Sequence, residues 1–455
     1  MNTNSYDPDD CIAALASPWA QSALAVIRTS GKGSIEKISK IFSRPDSLLQ
    51  GSGNFLAYGY LKHPENGQTL DQVVAAVYKG PKSYTGQDSV ELFLHGSLPG
   101  IKWTLDALRK IGFRDASPGE FTFRGFLNKK MDLTRSEAVH EIVTAKTLRA
   151  QNLALHRLSG GIEERINTVK QGLHEILAEV ELQLDYPDDE IDVSELTAFI
   201  SSLNDFRAKL KTLAETFEIG RVYQQGIKAA IAGRTNAGKS SLFNLFLRED
   251  RSIVSDIHGT TRDYIESWIT VRGVPISLFD TAGLRDSDHP IEAEGIRRSS
   301  AVIESADIVL YLVDSTLGVQ PDDREFFEKN KDRIRCIKIW NKIDIQGKSC
   351  PKDFFPLSST KGTGLKAIEK EIERLALGSG TSEDDVVIDS ERQRDLLLQS
   401  ALGISAAVKG IEEGMPGDAV AVDLKEALDA LGEITGEVTS ADILTTMFSR
   451  FCVGK

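Results

Sequence analysis

The sequence predicts a multidomain protein in which a mostly parallel α/β domain is inserted into a helical bundle domain, after an α+β N-terminal domain. Its 455 residues are too many for one ordinary core. Strand and helix patterns alternate from about residue 226 to residue 376, which is typical of a parallel sheet covered by helices. Helical periodicity precedes and follows this region, and so indicates an insertion. We expect domain segments at 1–128, 129–225, 226–378 and 379–455.

The composition is typical of a soluble globular protein, with 41% hydrophobic and 27% charged residues. No stretch approaches the roughly 18 apolar residues that span a bilayer, and the acidic N-terminus differs from a signal peptide. We therefore expect a cytoplasmic protein without a membrane partner. The net charge of −13 opposes nonspecific coating of nucleic acid but allows a local basic patch. The scattered cysteines predict neither a disulfide framework nor a zinc site; they are Cys11, Cys336, Cys350 and Cys452.

The first two segments differ in their periodicity. Residues 1–128 contain strand candidates at Ala23–Arg28 and Val73–Tyr78. From Leu133 to Gln225 the pattern is mostly helical. Apolar residues at alternating steps of four and three form its clearest stripe, which predicts a bundle core, with a coiled-coil dimer seam as the alternative. The stripe consists of Ile162, Ile166, Val169, Leu173, Ile176 and Val180.

A phosphate-binding loop is the most specific motif in the sequence. Residues 233–240 match G-x-x-x-x-G-K-[ST], between an apolar strand and an apolar-periodic helix. Glycines let the main-chain N–H groups turn toward phosphate oxygens, and the helix N-terminus adds partial positive charge. Lys239 is expected to reach the β- and γ-phosphates and Ser240 to ligate Mg²⁺. The predicted phosphate-binding residues are Gly233, Asn236, Ala237, Gly238, Lys239, Ser240 and Ser241.

Three later motifs indicate that the nucleotide is GTP. Each follows a strand candidate, and together they comprise Asp280, Thr281, Ala282 and Gly283, then Asn341, Lys342 and Asp344, then Ser358 and Ser359. The Asp344 carboxylate is suited to accept hydrogen bonds from the guanine N1–H and 2-amino groups. Adenine offers neither donor, so ATP would leave this carboxylate unpaired.

Hydrolysis requires a positioned water molecule and compensation of developing negative charge. Leu284 follows the D-T-A-G motif, where Ras-like enzymes carry a glutamine, so another residue must orient the water. Thr261 is a candidate switch residue that closes on Mg²⁺. The carboxylate candidates downstream are Asp286, Asp288, Glu292 and Glu294.

The combination of motifs resembles the MnmE/TrmE family of tRNA-modification GTPases. The resemblance extends over nearly the whole chain, including both ends. It is carried by the segments Ser117–Thr122, Phe126–Asn128, Met131–Leu133, Gly233–Ser241, Gly259–Asp263, Asp280–Arg285, Leu431–Gly436 and Phe451–Lys455.

This resemblance implies a homodimer that acts with a flavin-dependent partner in a heterotetramer. Together they would add a carboxymethylaminomethyl group to the wobble uridine of certain tRNAs. It also implies K⁺-stimulated GTP hydrolysis when two GTPase domains meet, with the ion in the place of an arginine finger. The implied K⁺ positions are Asn236, Ser255, Ile257 and Thr260, and Glu292 is the implied water-orienting residue.

The resemblance further implies that the first domain binds a one-carbon tetrahydrofolate, such as the 5-formyl or methylene form. The matching positions are Arg28, Glu91, Lys130 and Lys455. Two alternatives remain at this point. One is a regulatory RNA- or ribosome-associated GTPase with no direct role in modification. The other is a family member that has lost folate chemistry, because Ser17–Ser22 contains no glycine where the family usually has a glycine-rich stretch.

Overall fold

The computed structural model describes residues 10–51, 53–185, 193–249, 266–280, 301–331, 335–378 and 386–455. The chain divides into two compact units. The first unit comprises Met1–His140, Arg157–Ala178 and Lys425–Lys455. The second comprises Glu141–His156 and Glu179–Leu424. Within the described ranges, no helix is both long enough and apolar enough to cross a membrane.

The first unit contains a mixed six-stranded sheet in the order β3-β4-β5-β2-β1-β6. All its pairings are antiparallel except β1 with β6. Its apolar face is covered by helices, and α1 and α3 both contribute side chains to the core. The predicted α+β domain is therefore confirmed. Its elements are β1 Ile12–Leu15, β2 Ser22–Ser30, α1 Ser34–Ser39, α2 Pro45–Leu49, β3 Phe55–Lys62, β4 Thr69–Tyr78, β5 Ser89–Gly96, α3 Leu98–Lys110, β6 Arg114–Asp115 and α4 Glu120–Leu127.

A buried ionic network ties the start of α4 to this sheet. The Arg124 guanidinium and the Glu120 carboxylate are both fully buried and lie 2.8 Å apart. Arg114 donates to Glu120 at 2.7 Å, and both arginines also pair with Asp10. Burial alone would raise the pKa of Glu120, but hydrogen bonds from Arg114, the Ser117 backbone and Arg124 outweigh it and lower that pKa. The carboxylate is therefore ionised at neutral pH.

Helices occupy the segments on both sides of the inserted domain. The predicted apolar stripe from Ile162 to Val180 is buried along its whole length within the single chain, as expected for a bundle core. In the second unit, α8 packs against α13, and the Arg207 guanidinium lies 3.4 Å from the Ser405 hydroxyl. The helices are α5 Leu133–Thr144, α6 Leu148–Leu158, α7 Gly161–Asp185, α8 Val193–Glu215, α9 Phe217–Gln225, α13 Glu391–Glu412, α14 Gly417–Thr435 and α15 Ala441–Phe448.

The inserted domain contains a six-stranded sheet in the order β12-β11-β10-β7-β9-β8. Five strands are parallel, and β8 alone runs antiparallel to β9 because a two-residue turn joins them. Helices cover both faces, so the strands are nearly continuous apolar runs. The predicted parallel sheet is confirmed. Its elements are β7 Ile227–Gly233, α10 Lys239–Glu249, β8 Glu266–Val271, β9 Val274–Asp280, β10 Ile308–Asp314, α11 Pro321–Lys329, β11 Arg335–Asn341, β12 Phe355–Leu357 and α12 Leu365–Leu377.

Candidate functional site

The carboxyl ends of the parallel strands bring the predicted nucleotide motifs together at one edge of the second sheet. β7 leads into the phosphate loop, β9 ends at Asp280 and β11 ends at Asn341. Ser358 follows β12 directly. In open α/β sheets, ligands bind at this edge, where neighbouring strands connect in opposite directions. The strand order places β7 between β9 and β10, which makes the phosphate loop the centre of the site.

Two positions of the phosphate loop require glycine. A Cβ atom on Gly233 would lie 2.4 Å from the Leu312 carbonyl oxygen, and φ at this residue is +135°. A Cβ on Gly238 would lie 2.2 Å from the Asn341 side-chain nitrogen, and φ is +100°. Residues with a Cβ atom rarely adopt such positive φ angles, whereas glycine does so readily. The two glycines therefore allow the loop to pack closely against β10 and the end of β11.

The Lys239 ammonium group lies within the phosphate loop. Its Nζ atom donates to the carbonyl oxygens of Gly233 at 3.0 Å and Arg234 at 2.9 Å. The side chain belongs to the first turn of α10, and Lys239 is buried. A buried ammonium held by neutral carbonyls is well placed to exchange one of them for a charged phosphate oxygen. The geometry agrees with the phosphate-binding role that the motif predicts.

Ser240 and Asp280 form a pair of oxygen ligands beside the loop. The Ser240 hydroxyl donates to the Asp280 carboxylate over 3.0 Å, and Asp280 is buried at the end of β9. Hydroxyl and carboxylate oxygens are the ligands that Mg²⁺ prefers. These two residues could hold Mg²⁺, directly or through water, next to a bound phosphate.

The Asn341 side chain joins three loops of the site. Its amide nitrogen donates to the Ala237 carbonyl oxygen at 2.8 Å and to the Ser359 hydroxyl at 3.1 Å. Its amide oxygen accepts from the Ser359 backbone N–H at 3.1 Å. Asn341 is fully buried, so these bonds are protected from competing water. The phosphate loop and the loop after β12 are thereby held in fixed positions relative to the N-K-I-D loop.

The Asp344 carboxylate is an oriented and ionised acceptor. The hydroxyl groups of Ser358 and Thr360 donate to its two oxygens at 2.6 Å and 3.2 Å. The hydrogen bond from Ser358 is the main reason that the pKa of Asp344 lies below its ordinary value. A charged acceptor with a fixed orientation is what guanine recognition requires. Thr360 was not predicted from the sequence, because a threonine beside a Ser-Ser pair is an unremarkable loop residue.

The structure also identifies Asp314 as a neighbour of this loop. Lys342 Nζ lies 2.6 Å from the Asp314 carboxylate at the end of β10. Asp314 was not predicted from the sequence. An available signal was its position, because Asp314 ends an apolar strand in the same way that Asp280 ends β9.

Several predicted residues lie outside the described ranges. These are Ser255, Ile257, Thr260, Thr261, Thr281, Ala282, Gly283 and Glu292. Among the predicted residues of the phosphate loop, Asn236, Ser240 and Ser241 are exposed, and Asn236 has a φ of +63°. The exposed position of Asn236 leaves its side chain accessible to an ion or to a second molecule.

A second group of predicted residues lies in the first unit. Arg28 pairs with Glu91 across β2 and β5 at 2.7 Å and donates to the Gly454 carbonyl oxygen at 3.1 Å. The pKa of Lys455 is lowered by burial and by the nearby Arg28 charge. The structure thus brings Arg28, Glu91 and the C-terminal residues together. Lys130 donates to the Pro81 carbonyl oxygen at 2.9 Å.

An aromatic cluster anchors the C-terminal segment that supplies Lys455. Phe448 and Phe451 are buried with Phe123 and Leu133. The Phe451 ring also stacks on His140 with a centroid distance of 4.9 Å. Burial of two phenylalanine rings holds the tail in place far more strongly than one surface hydrogen bond would.

Comparison with known proteins covers nearly the whole chain. A model described as "GTP-binding protein TrmE N-terminus" matches residues 11–130, and one described as "MnmE helical domain" matches residues 133–452. The "tRNA modification GTPase MnmE" of Borreliella burgdorferi is 42% identical, and the alignment covers 99% of each chain. The protein of the same name from Treponema denticola is 41% identical, with 100% of each chain covered.

Solved structures match a smaller part of the chain. Aquifex aeolicus Era bound to GDP.AlF4- is 24% identical, with a TM-score of 0.27 and coverage of 40% of this chain and 66% of that chain. The assignment therefore rests on the family models and the full-length relatives. The chain belongs to the MnmE family of tRNA modification GTPases.

Proposed function

We propose that this chain binds and hydrolyses GTP to support tRNA modification. With a flavin-dependent partner, it adds a carboxymethylaminomethyl group to the wobble uridine of certain tRNAs. The observation that carries the GTPase part is the set of hydrogen bonds made by Asn341, which connects the phosphate loop to the loop after β12. Phosphate recognition and base recognition thus belong to one preorganised cleft.

Each described motif residue has a place in the proposed GTP complex. Lys239 exchanges its loop carbonyls for β- and γ-phosphate oxygens, and the main-chain N–H groups from Asn236 to Ser241 surround the phosphates. Asp344 accepts from the guanine N1–H and 2-amino groups, while Ser358 and Thr360 hold it in orientation. Lys342 and Ser359 complete the base side of the cleft.

Ser240 is proposed as a direct Mg²⁺ ligand, with Asp280 acting through water. Mg²⁺ supplies charge compensation at the phosphates. Thr261 is proposed to close on Mg²⁺ as a second ligand. Thr281, Ala282 and Gly283 are proposed to contact GTP, with the Gly283 N–H sensing the γ-phosphate, and Glu292 is proposed to orient the attacking water. Thr261, Thr281, Ala282 and Gly283 are assigned from their sequence motifs, and Glu292 from the family resemblance.

We further propose a K⁺-stimulated reaction between two copies of the GTPase domain in a homodimer. Asn236 is exposed in the phosphate loop with a φ of +63°, so a monovalent ion can reach it. Ser255, Ile257 and Thr260 are the other proposed ligands. An ion at this position compensates the negative charge that develops between the β- and γ-phosphates.

The first domain is proposed to bind a one-carbon tetrahydrofolate. Arg28 supports this role because Glu91 and the Gly454 carbonyl orient its guanidinium, and the rings of Tyr84 and Phe121 lie within 5.8 Å of it. Cationic and aromatic groups of this kind suit a ligand with carboxylates and a flat heterocycle. Lys130 and Lys455 are the remaining proposed contacts.

The proposed domain limits are 1–128 for the folate-binding domain, 226–378 for the GTPase domain, and 129–225 with 379–455 for the helical domain. The backbone conformation of Gly226 supports the start of the GTPase domain at residue 226. Its φ of +80° ends helix α9 directly before strand β7. We propose a cytoplasmic location, where tRNA and GTP are both present.

Two measurements test the proposal. GTP turnover by the purified protein is expected to be several times faster in K⁺ than in Na⁺, and equal rates would contradict the K⁺ role. Wobble-uridine modification is expected to disappear in cells that lack this protein and to return with the wild-type chain but not with Lys239→Ala. Normal modification together with copurification of ribosomal subunits would instead favour a ribosome-associated GTPase.

A further inference from the structure

The end of β10 makes three contacts with the N-K-I-D loop. The Asp314 carboxylate accepts from Lys342 Nζ at 2.6 Å. The Ser315 backbone N–H donates to the Asn341 carbonyl oxygen at 3.0 Å, and the Ser315 hydroxyl donates to the Lys342 carbonyl oxygen at 3.1 Å. Asp314 and Ser315 therefore bind the Lys342 side chain and the two carbonyl groups on either side of its Cα atom.

That turn has an unfavourable backbone conformation. Lys342 has a φ of +68°, in the left-handed region that residues with a Cβ atom rarely occupy. Such a conformation persists only where surrounding contacts over-determine it. The contacts from Asp314 and Ser315 act on this residue from both its side chain and its main chain, and so account for its conformation.

The Asp314–Lys342 ion pair is suited to hold Lys342 in this conformation. The two side chains are 13% and 28% exposed, so bulk water screens the pair only in part. Burial of Asp314 opposes its ionisation, but hydrogen bonds from Lys342 and Thr316 outweigh burial and lower its pKa. The carboxylate therefore stays charged throughout the neutral range.

The conformation of Lys342 determines where its neighbours point. On one side, Asn341 reaches the phosphate loop at Ala237. On the other side, Asp344 meets the hydroxyl of Ser358. A change of φ at the residue between them would rotate these two side chains relative to each other.

We propose that Asp314 and Ser315 are positioning residues for guanine recognition. They hold Lys342 in its left-handed conformation and thereby keep the Asp344 carboxylate aimed at the base. Neither residue needs to touch the nucleotide. The inference rests on the proposed binding of GTP by this cleft.

The test compares the dissociation rates of fluorescent GDP and fluorescent IDP from the full-length protein in magnesium buffer. Hypoxanthine lacks the 2-amino group, so IDP offers Asp344 one hydrogen bond where GDP offers two. In Asp314→Asn we expect GDP to leave about 10- to 100-fold faster, the size of effect that loss of a charged hydrogen bond produces. IDP is expected to accelerate less, so the preference for GDP falls.

Three further variants separate positioning from general stability. Asp353→Asn removes a similar carboxylate–lysine pair, 2.8 Å from Lys338 in the same domain, and is expected to leave both dissociation rates unchanged. Ser315→Ala is expected to shift the preference in the same direction by a smaller factor. Asp314→Glu retains the charge and is expected to restore part of the GDP preference.

The possible outcomes have distinct meanings. Equal acceleration of GDP and IDP in Asp314→Asn, or no change in either, overturns the positioning role. If Asp314→Asn fails to fold, the ratio of the GDP and IDP dissociation rates in Ser315→Ala and Asp314→Glu tests the positioning role instead. Failure of the wild-type protein to retain GDP refutes the proposed function instead, and the wild-type arm detects it before any variant is compared.

Discussion

Asn341→Ala is the perturbation whose consequence follows most directly from the structure. The change removes hydrogen bonds of 2.8, 3.1 and 3.1 Å from a fully buried side chain. At a net value of about 1 kcal/mol for each bond, the free energy of unfolding falls by about 3 kcal/mol. The Ala237 carbonyl and the Ser359 N–H are also left without this partner in a buried region, so about 3 kcal/mol is the lower end of the expected loss.

Differential scanning calorimetry of the full-length, nucleotide-free protein measures this effect. The chain has several domains, so the relevant transition is identified as the one that GDP shifts upward. A loss of about 3 kcal/mol corresponds to a fall of about 6–12 °C in Tm for a domain of 150–250 residues.

The matched control is Asn330→Ala, in which one hydrogen bond of 2.8 Å to Phe326 at the end of α11 is lost. This control is expected to lower Tm by about 2–4 °C, as one hydrogen bond of about 1 kcal/mol implies. If Asn341→Ala lowers Tm no more than Asn330→Ala does, the connection between the three loops does not stabilise the domain, and the reasoning is refuted.

Three other substitutions give separate tests. Asp344→Asn is expected to weaken GTP binding and to reduce its preference over ATP, because an amide cannot accept from both guanine donors; competition binding with the two nucleotides checks this, and an unchanged preference contradicts it. Glu120→Gln is expected to lower the free energy of unfolding by about 3–5 kcal/mol at pH 7, because Arg124 loses a buried partner. The folded-state pKa of Glu120 lies below its ordinary 4.5, so its contribution is present above pH 4.5 and is lost as pH falls further. Denaturant unfolding should therefore show a smaller difference between wild type and variant in acid than at pH 7, and a constant difference would be inconsistent with this explanation. Phe451→Ala is expected to release the C-terminal tail and to weaken binding of 5-formyltetrahydrofolate while GTP turnover is retained; titration calorimetry that shows undiminished affinity would separate the tail from the folate site.

The structure agrees closely with the periodicity of the sequence. The predicted helical region from Leu133 to Gln225 begins with α5 and ends with α9. The six strand candidates of the inserted domain coincide with β7 to β12, apart from small differences at their ends. These candidates are Lys228–Ala232, Ser267–Val271, Ile276–Phe279, Ile308–Val313, Cys336–Trp340 and Phe355–Leu357. Buried apolar residues recur with a period of about 2 in strands and about 3.6 in helices. A single sequence therefore indicates the type and position of each element without knowledge of tertiary contacts.

The phosphate loop was also predictable because its chemistry is local. Gly233, Gly238, Lys239 and Ser240 lie within eight consecutive residues, and loops of this kind bind phosphate mainly through their own main chain. The described residues of the later motifs lie at one edge of the sheet for a related reason. Parallel strands end at one edge of a sheet, so polar residues that follow such strands are brought to the same side.

The partners of individual side chains were decided only by the tertiary structure. Asn341 meets Ala237 across 104 positions, Lys342 meets Asp314 across 28, and Arg28 meets Gly454 across 426. Periodicity shows which residues face a core or a sheet edge, but many carbonyls and carboxylates of the chain would serve equally well as acceptors. The sequence by itself determined the elements, their order and the phosphate loop. The tertiary structure determined the hydrogen-bond partner of each side chain, through strand order, register and the packing of the C-terminal tail. The reason is that a hydrogen bond depends on distances of about 3 Å, which only the folded chain defines.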